Sequence, residues 1–549
     1  MKKMIRTLLL VAVVSCLLTV TALAVVSVDM AVVVGRGNVV VSNGLSAKLE
    51  PLSDGTEMED MFCVPVVINE STYVPLRFVL EKMGITVSYD SDTKTTVLTK
   101  DNSRLPVYFA DGKLSKCISV VIDGQNVTFV HGDGHETTEA IDIYKHIGMT
   151  YIPVRYLERF GALIKWDSQN SIAYISYEDT DSFTKKYERI MGLTNAEERQ
   201  YSIDEHFSNI INVSSLKTVL DSYLTESSEC FNSQNGGLVQ PYNGKNYYPN
   251  LNIEKDGWFG KVGDNARQLC YATDGTNKYI YYVDREKQNL RRLKLETDDI
   301  VKDKPVKLPA ALEGKMITHL TSYDGNLFFV AYDNAGEGGH VYMSRVGNEE
   351  MCTVKITQDK AWNYYVSPTY KLYFMNFNEG YRLTSIDMRS IDNINVFVNN
   401  PWSGVLSDIV NFTPMQSFAF DCQNATDYYY VDIVNGDLIK SSRNHDTGIE
   451  VLSSGKNGAL RTFLNVGSVG GKKSVLYVEY PNGKNGVFDK CKIVQYDLVG
   501  KTAKVLHESS FAINGLCVYG GKIYFTDMNY SALYEVSLSG TEYKTAKIG

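Results

Sequence analysis

The chain has 549 residues, of which 44% are hydrophobic and 22% charged, and its formal net charge is −9. That length exceeds what one hydrophobic core serves, so about three or four domain-sized units are expected, and the ordinary hydrophobic and charged fractions exclude both wholesale disorder and a multispanning membrane protein. An acidic surface with no basic run interleaved with aromatics excludes nucleic acid as a partner, because counterion-release affinity needs such a run.

Residues 1–24 read as a signal peptide: Lys2, Lys3 and Arg6 precede an apolar run from Leu8 to Val20, and Ala22-Leu23-Ala24 supplies a small-x-small cleavage signal. The run is short of the roughly 20 apolar residues that a membrane-crossing helix needs. A cleaved leader is therefore expected over a retained anchor, with no transmembrane segment left behind. The stretch Val14-Ser15-Cys16 loosely resembles a lipobox, so lipid anchoring at Cys16 is the alternative, although leucines would then open the mature protein. Losing the leader takes the net charge to −12. The expected location is extracellular or at the cell surface.

The first domain is expected over residues 35–178, where one phrase occurs twice. "VPVVINESTYVPL" alternates like a strand, turns at Asn69-Glu70-Ser71 and meets Pro75, whose fixed φ suits a helix start. Leu76, Val79, Leu80 and Met83 then form one apolar stripe, and Gly84 can close the helix in the left-handed conformation. "ITVSYD" and "TVLT" complete a second hairpin. The second copy matches Tyr73 with Tyr151, Pro75 with Pro153, Arg77 with Arg155, Gly84 with Gly161 and Tyr89-Asp90 with Trp166-Asp167, one residue shorter between arginine and glycine. A unit this small cannot cover its own apolar stripe, so two copies are expected to pack together.

The segments "TYVPLRFVLEKMGITVSYDSDTKTTVLT" and "TYIPVRYLERFGALIKWDSQNSIAYIS", with the preceding hairpin-like "CISVVIDGQNVTFV", resemble the copper amine oxidase N-terminal-like domain, or stalk domain. The resemblance implies an α+β module of two hairpin–helix–hairpin repeats that holds no copper. An arginine in a first helical turn faces the positive end of the helix dipole, so a carboxylate partner is expected for each: Arg77 with Asp90 and Arg155 with Asp167. A ligand-binding arginine pair is the other reading. "HGDGHE" gathers His131, Asp133, His135 and Glu136 and is the nearest approach to a metal site, but its glycines imply a flexible turn, whereas zinc sites typically add a distant, pre-oriented ligand. Of the cysteines left after cleavage none forms CxxC; scattered buried thiols are expected, with Cys63 and Cys117 the one pair to consider as a disulfide.

Residues 181–229 change texture to charged, helically spaced segments such as "NAEERQYSIDEHFSNIINV", a helical connector. From 235 to 549 aromatic strands recur at Tyr281, Phe328, Tyr373, Tyr429, Tyr477 and Tyr524, spaced by 47, 45, 56, 48 and 47 residues. That period suits a four-stranded propeller blade. A shorter hairpin near Tyr247 makes the count six to seven blades. "IYYVDREKQNLRRLKL" and "IYFTDMNYSALYEVSLSG" resemble YWTD-like propellers and, more closely, the bacterial domain of unknown function 5050. Most tyrosines in such strands are expected to pack between sheets, leaving Trp258, Trp362 and Trp402, near turns, as candidates for a ligand face.

An amine oxidase would need a quinone-forming tyrosine within Asn-Tyr-Asp or Asn-Tyr-Glu and a His-x-His pair; the chain has "NYY" and "NYS", and its eight histidines form no such pair. No GxSxG or P-loop occurs. The expectation is a multidomain, exported, noncatalytic binding or scaffold protein without a cofactor, its propeller facing a protein, peptide or glycan ligand, with the cell wall as a candidate partner. The alternative is a propeller enzyme acting on extracellular polysaccharide, which would gather carboxylates at the ring centre.

Overall fold

In a computed structural model of the chain, the strands Ser71–Pro75 and Met149–Pro153 lie side by side and antiparallel, with Tyr73 opposite Pro153, Val74 opposite Ile152 and Pro75 opposite Tyr151. The recurring phrase is thus paired with itself in a register that is symmetric about Val74 and Ile152. Residues described are 26–53, 63–101, 104–109, 114–146, 149–211, 214–226, 240–242, 245–248, 258–261, 266–284, 289–296, 299–334, 337–367, 371–388, 407–411, 413–421, 427–442, 449–456, 458–527 and 532–548. The expected leader, residues 1–24 with Cys16, and Trp402 lie outside them.

Each phrase is the second strand of a hairpin, after Val66–Ile68 and Tyr144–His146, and the four strands form one sheet. Each then enters a helix capped by its proline, Pro75 at φ −59° and Pro153 at φ −56°. The first is the α-helix α1 (Leu76–Lys82) and the second, in the copy that is one residue shorter between proline and glycine, is a 3-10 helix of equal length, Val154–Phe160. Gly84 at φ 73° and Gly161 at φ 85° turn both chains out through the left-handed region that glycine enters without a Cβ clash. The following hairpins go to different sheets. Thr86–Asp90 and Thr95–Thr99 join a six-stranded sheet, whereas Leu163–Asp167 and Ile172–Glu178 join a five-stranded sheet completed by Ser27–Val33, Asn38–Ser42 and Ala47–Pro51. That sheet begins ahead of residue 35, and Ser27–Val33 pairs along its whole length with Ile172–Glu178.

Alternation gives the five-stranded sheet two apolar faces. Val28, Met30, Val32, Val39 and Val41 face the core over α1, while Ala31, Val33, Val40, Ile172 and Tyr174 face the helical segment. That segment comprises α2 (Asp181–Met191), α3 (Ala196–Ile211) and α4 (Ser214–Glu226). It contributes Phe183, Tyr187, Ile190, Ile203, Phe207, Leu216 and Leu220 to that second face. Thr180 caps α2 by accepting a 3.1 Å bond from the Phe183 amide. The segment expected to be a connector is helical, but it serves as a layer of the first region, because a sheet apolar on both faces exposes one of them without it.

Beyond residue 240 come a three-stranded sheet (Gln240–Tyr242, Lys245–Tyr248, Trp258–Lys261) and six four-stranded antiparallel sheets, each a meander of consecutive strands. Every aromatic strand that marked the period is the second strand of its sheet: Lys278–Asp284, Asn326–Tyr332, Lys371–Asn376, Asp427–Asp432, Lys472–Tyr480 and Lys522–Asp527. The ten largest fully buried side chains are all tyrosines, eight of them in these sheets. The tyrosines therefore fill the space between sheets.

The two regions share a core. Tyr73 and Tyr151 point to the side of their sheet opposite Val74 and Ile152 and join one buried cluster with Tyr323, Phe328, Val330 and Tyr364, while Val74 and Ile152 belong to the core around α1. At the junction Asp324, in an Asp-Gly hairpin turn at φ 52°, accepts from the Gly37 amide and from Asn38 Nδ2, the latter at 2.7 Å. Arg36 lies over the Tyr323 ring at 5.9 Å. A Cβ at Gly37 would come within 3.2 Å of Asp324 Oδ2, so a side chain there would push that carboxylate back by a few tenths of an ångström.

Candidate functional site

The first strand of each four-stranded sheet carries an irregularity at one matching place. Pairing with the second strand slips between Arg267 and Cys270, Thr318 and Thr321, Ala361 and Tyr364, Met415 and Ser417, Thr462 and Asn465, and Ile513 and Leu516. A bulge inserts an extra residue and re-aims its side chain. Gln268, His319 and Phe463 take the left-handed conformation at φ 53°, 57° and 53°, an uncommon state for residues bearing a Cβ that tight surroundings must hold. Beside them Leu269, Leu320 and Leu464 are buried. The re-aimed residues, Gln268, His319, Trp362, Gln416, Phe463 and Asn514, remain partly exposed, with Trp362 at 41%.

These positions also join neighbouring sheets. Gln268 donates from Nε2 to Thr318 Oγ1 at 2.8 Å and accepts at Oε1 from the His319 amide at 2.7 Å. Tyr364 donates its hydroxyl hydrogen to the His319 carbonyl. Gln416 accepts from the Arg461 amide and Ser417 from the Leu464 amide, both at 3.4 Å, and Asn465 Nδ2 donates to the Leu516 carbonyl at 3.0 Å. Asn363, fully buried next to Trp362, has neither side-chain oxygen nor nitrogen bonded among the described residues, a state that costs about 1–3 kcal/mol for each orphaned group. Amides, an imidazole and two aromatics thus occupy one register position of six successive sheets. None of the six first strands contains Asp or Glu.

Buried carboxylates in these sheets are held by their own partners. Glu349 takes two 2.7 Å contacts from Arg292 Nη1, one at 2.8 Å from the Gly347 amide and the Tyr281 hydroxyl. Glu479 is bound by Arg461 at 3.1 Å and Lys456 at 3.2 Å. Among the described residues, the carboxyls pushed above the ordinary range, both chiefly by burial, are Asp29 and Glu158 in the first region.

Of the residues singled out from the sequence, Trp362 lies within this belt; Trp258 opens a strand of the three-stranded sheet, and Trp402 lies outside the described residues. The arginine–aspartate pairs do not form. Arg77 reaches Glu81, one turn on, at 3.5 Å, and Arg155 is exposed. Asp90 instead accepts from the amides of Asp92 (2.9 Å) and Thr93 (3.2 Å), and Asp167 from those of Gln169 (3.0 Å) and Asn170 (3.3 Å). Both aspartates are turn residues whose carboxylates satisfy local donors. His131, Asp133 and His135 do not make a metal site: both ring nitrogens of His131 are taken, by Ser115 Oγ at 2.6 Å and Thr137 Oγ1 at 2.7 Å, and His135 Nδ1 lies 2.5 Å from Asp133. Among the described residues no group of three or more His, Cys, Asp or Glu is placed to hold a metal. Cys63 and Cys117 are buried thiols, not a disulfide. Among the described residues no helix is long and apolar enough to cross a membrane.

The model of the family described as "Copper amine oxidase N-terminal domain" matches residues 52–175, which spans both copies of the repeated phrase. No curated protein matches the sequence. Solved structures to which the chain is similar are propeller-like. They include the Nidogen/Laminin complex (14% identity over 47% of this chain and 90% of that one, TM-score 0.33), the WD40 domain of Toxoplasma gondii coronin (12%, 51% and 69%, 0.33) and a TolB-type protein from Agrobacterium tumefaciens (12%, 44% and 79%, 0.28).

Proposed function

We propose that the chain is an exported, noncatalytic binding or scaffold protein of the cell surface or envelope. In this reading residues 235–549 form a propeller of six or seven blades, of the YWTD-like or domain-of-unknown-function-5050 kind. The first region, two stalk repeats, then fixes the direction in which the propeller's binding face points. The observation that carries the reading is the belt of Gln268, His319, Trp362, Gln416, Phe463 and Asn514. First strands line the axis of a propeller, and a belt of amides and aromatics without Asp or Glu suits hydrogen bonding and stacking with a neutral polar ligand, a peptide or a glycan. Hydrolysis of a glycosidic bond in most families uses two carboxylates flanking that bond, and the six first strands contain neither Asp nor Glu.

Glycan-array and pull-down screening of the whole chain tests the proposal. The expected result is a captured ligand whose binding is lost in Trp362→Ala and weakened in Gln416→Ala. Turnover of a polysaccharide by the wild-type chain would replace this reading with the enzymatic one.

A further inference from the structure

Between the hairpin Leu163–Asp167/Ile172–Glu178 and helix α4 lies a groove of about 510 Å³, within the size range of small-molecule sites. Its wall is Trp166, 38% exposed although the largest apolar side chain of its strand. At its base Tyr174 is only 6% exposed, and its hydroxyl makes no hydrogen bond among the described residues. Burial, then the carboxylates of Asp167 and Asp221, push that hydroxyl's pKa up to about 12, so it keeps its proton. Asn170, whose amide nitrogen is 2.8 Å from Asp167 Oδ2, and Lys217, paired with Asp221 at 3.1 Å, form the rim. Ile172 and Leu220 supply apolar surface between them.

An indole face beside a protonated phenol, an amide and carboxylate acceptors is the combination that stacks on the C–H face of a sugar ring while bonding its hydroxyls. Two carboxylates, Asp167 and Asp221, and two lysines, Lys165 and Lys217, line the groove; Lys217 is paired with Asp221 at 3.1 Å and Lys165 with Asp204 at 2.8 Å, so both ammonium groups are already committed and the groove offers no surplus positive charge to an acidic sugar. We propose that this groove is a subsite for a neutral oligosaccharide, with Trp166 as the stacking wall and Tyr174 as the hydrogen-bonding group at the base. The first copy serves as an internal contrast: Tyr89 occupies the position matching Trp166 and is 56% exposed, but takes no part in the groove, which α4 completes only beside the second copy. The site stands on a different region from the propeller belt and does not depend on it.

The test is calorimetric titration of the whole chain with chitohexaose and with cellohexaose, repeated on Trp166→Ala, Tyr174→Phe and Trp362→Ala, with oligogalacturonate as the acidic probe. Circular-dichroism melting checks that each variant folds. The expected result is saturable binding of at least one neutral hexasaccharide, weakened about tenfold by Trp166→Ala and several-fold by Tyr174→Phe, unchanged by Trp362→Ala and absent for oligogalacturonate. Tyr174→Phe removes one hydroxyl and keeps the test decisive if Trp166→Ala does not fold. Failure of the wild-type chain to bind either neutral probe overturns the proposal. So does binding that survives both groove substitutions, or binding abolished by Trp362→Ala alone, which would place the sugar on the belt.

Discussion

The two copies of the repeated phrase begin alike and end differently. Up to the prolines they are equivalent: Tyr73 and Tyr151 are both buried, and their strands face each other in one sheet. Past the glycines the first copy's hairpin joins the six-stranded sheet while the second lies under the helices. Duplication here supplies a symmetric joint, and divergence after the joint supplies a covered sheet and a groove. The shared half should therefore tolerate least change, and the diverged half should respond to what is packed around each copy.

The joint gives the largest expected effect. Tyr151→Ala or Tyr73→Ala should each lower unfolding stability by about 3–5 kcal/mol in denaturant titration, as for other buried aromatics. Ile152→Ala, on the other face of the same sheet, should cost about 2–5 kcal/mol and be felt in the first region alone. Equal effects of Tyr151→Ala and Ile152→Ala on the first strands of the four-stranded sheets would break that contrast.

Next comes a pH dependence confined to the covered second copy. His206 Nε2 is 2.9 Å from Ser176 Oγ and its Nδ1 is 2.7 Å from Lys186 Nζ. Burial, then the neighbouring ammonium, push its pKa down to about 4, below the unfolded value of about 6.5. Above pH 6.5 the ring is neutral in both states and adds no slope. Between 6.5 and 4 the unfolded chain takes up the proton first, so stability falls by about 3 kcal/mol and levels off below 4. Asp29 acts with the opposite sign: burial and Glu178 raise its pKa while Ser176 and Lys186 oppose them, so its earlier protonation in the fold recovers part of the loss. His206→Gln should flatten the decline measured by denaturant titration from pH 7 to 4.

Asp324→Ala removes the acceptor of Gly37 and Asn38 at the junction and should cost about 1–3 kcal/mol. The smallest effect concerns the arginines. A double-mutant cycle on Arg155 and Asp167 should give a coupling near zero, and one on Arg77 and Glu81, an exposed pair one helical turn apart, no more than about 0.5 kcal/mol.

Much of the fold was legible because it rests on residues with few conformational options. Pro75, Pro153, Gly84 and Gly161 mark helix starts and ends by their backbone preferences, and the aromatic strands keep their period because each fills the same gap between sheets. The belt was illegible: a bulge shifts register without altering composition, and His319 or Gln416 in an alternating strand looks like any outward polar residue. Trp362 stood out only as a tryptophan near a turn. Trp166 enters the sequence reading only as the repeat's match to Tyr89, and its groove is completed by a helix some fifty residues further along. The aspartates misled because Asp90-Ser91-Asp92-Thr93 and Asp167-Ser168-Gln169-Asn170 satisfy each carboxylate within its own turn, leaving nothing for a distant arginine.

The account depends most on the tyrosine face of the central sheet being a core common to the first region and the four-stranded sheets, since the proposed binding face takes its fixed direction from that core. Amide hydrogen exchange on the Tyr73→Ala/Tyr151→Ala variant measures this residue by residue. Protection should drop together across Ser71–Pro75, Met149–Pro153 and the strands Met316–Tyr323 and Asn326–Tyr332. Loss confined to the first two strands, with the other two as protected as in the wild-type chain, would contradict it.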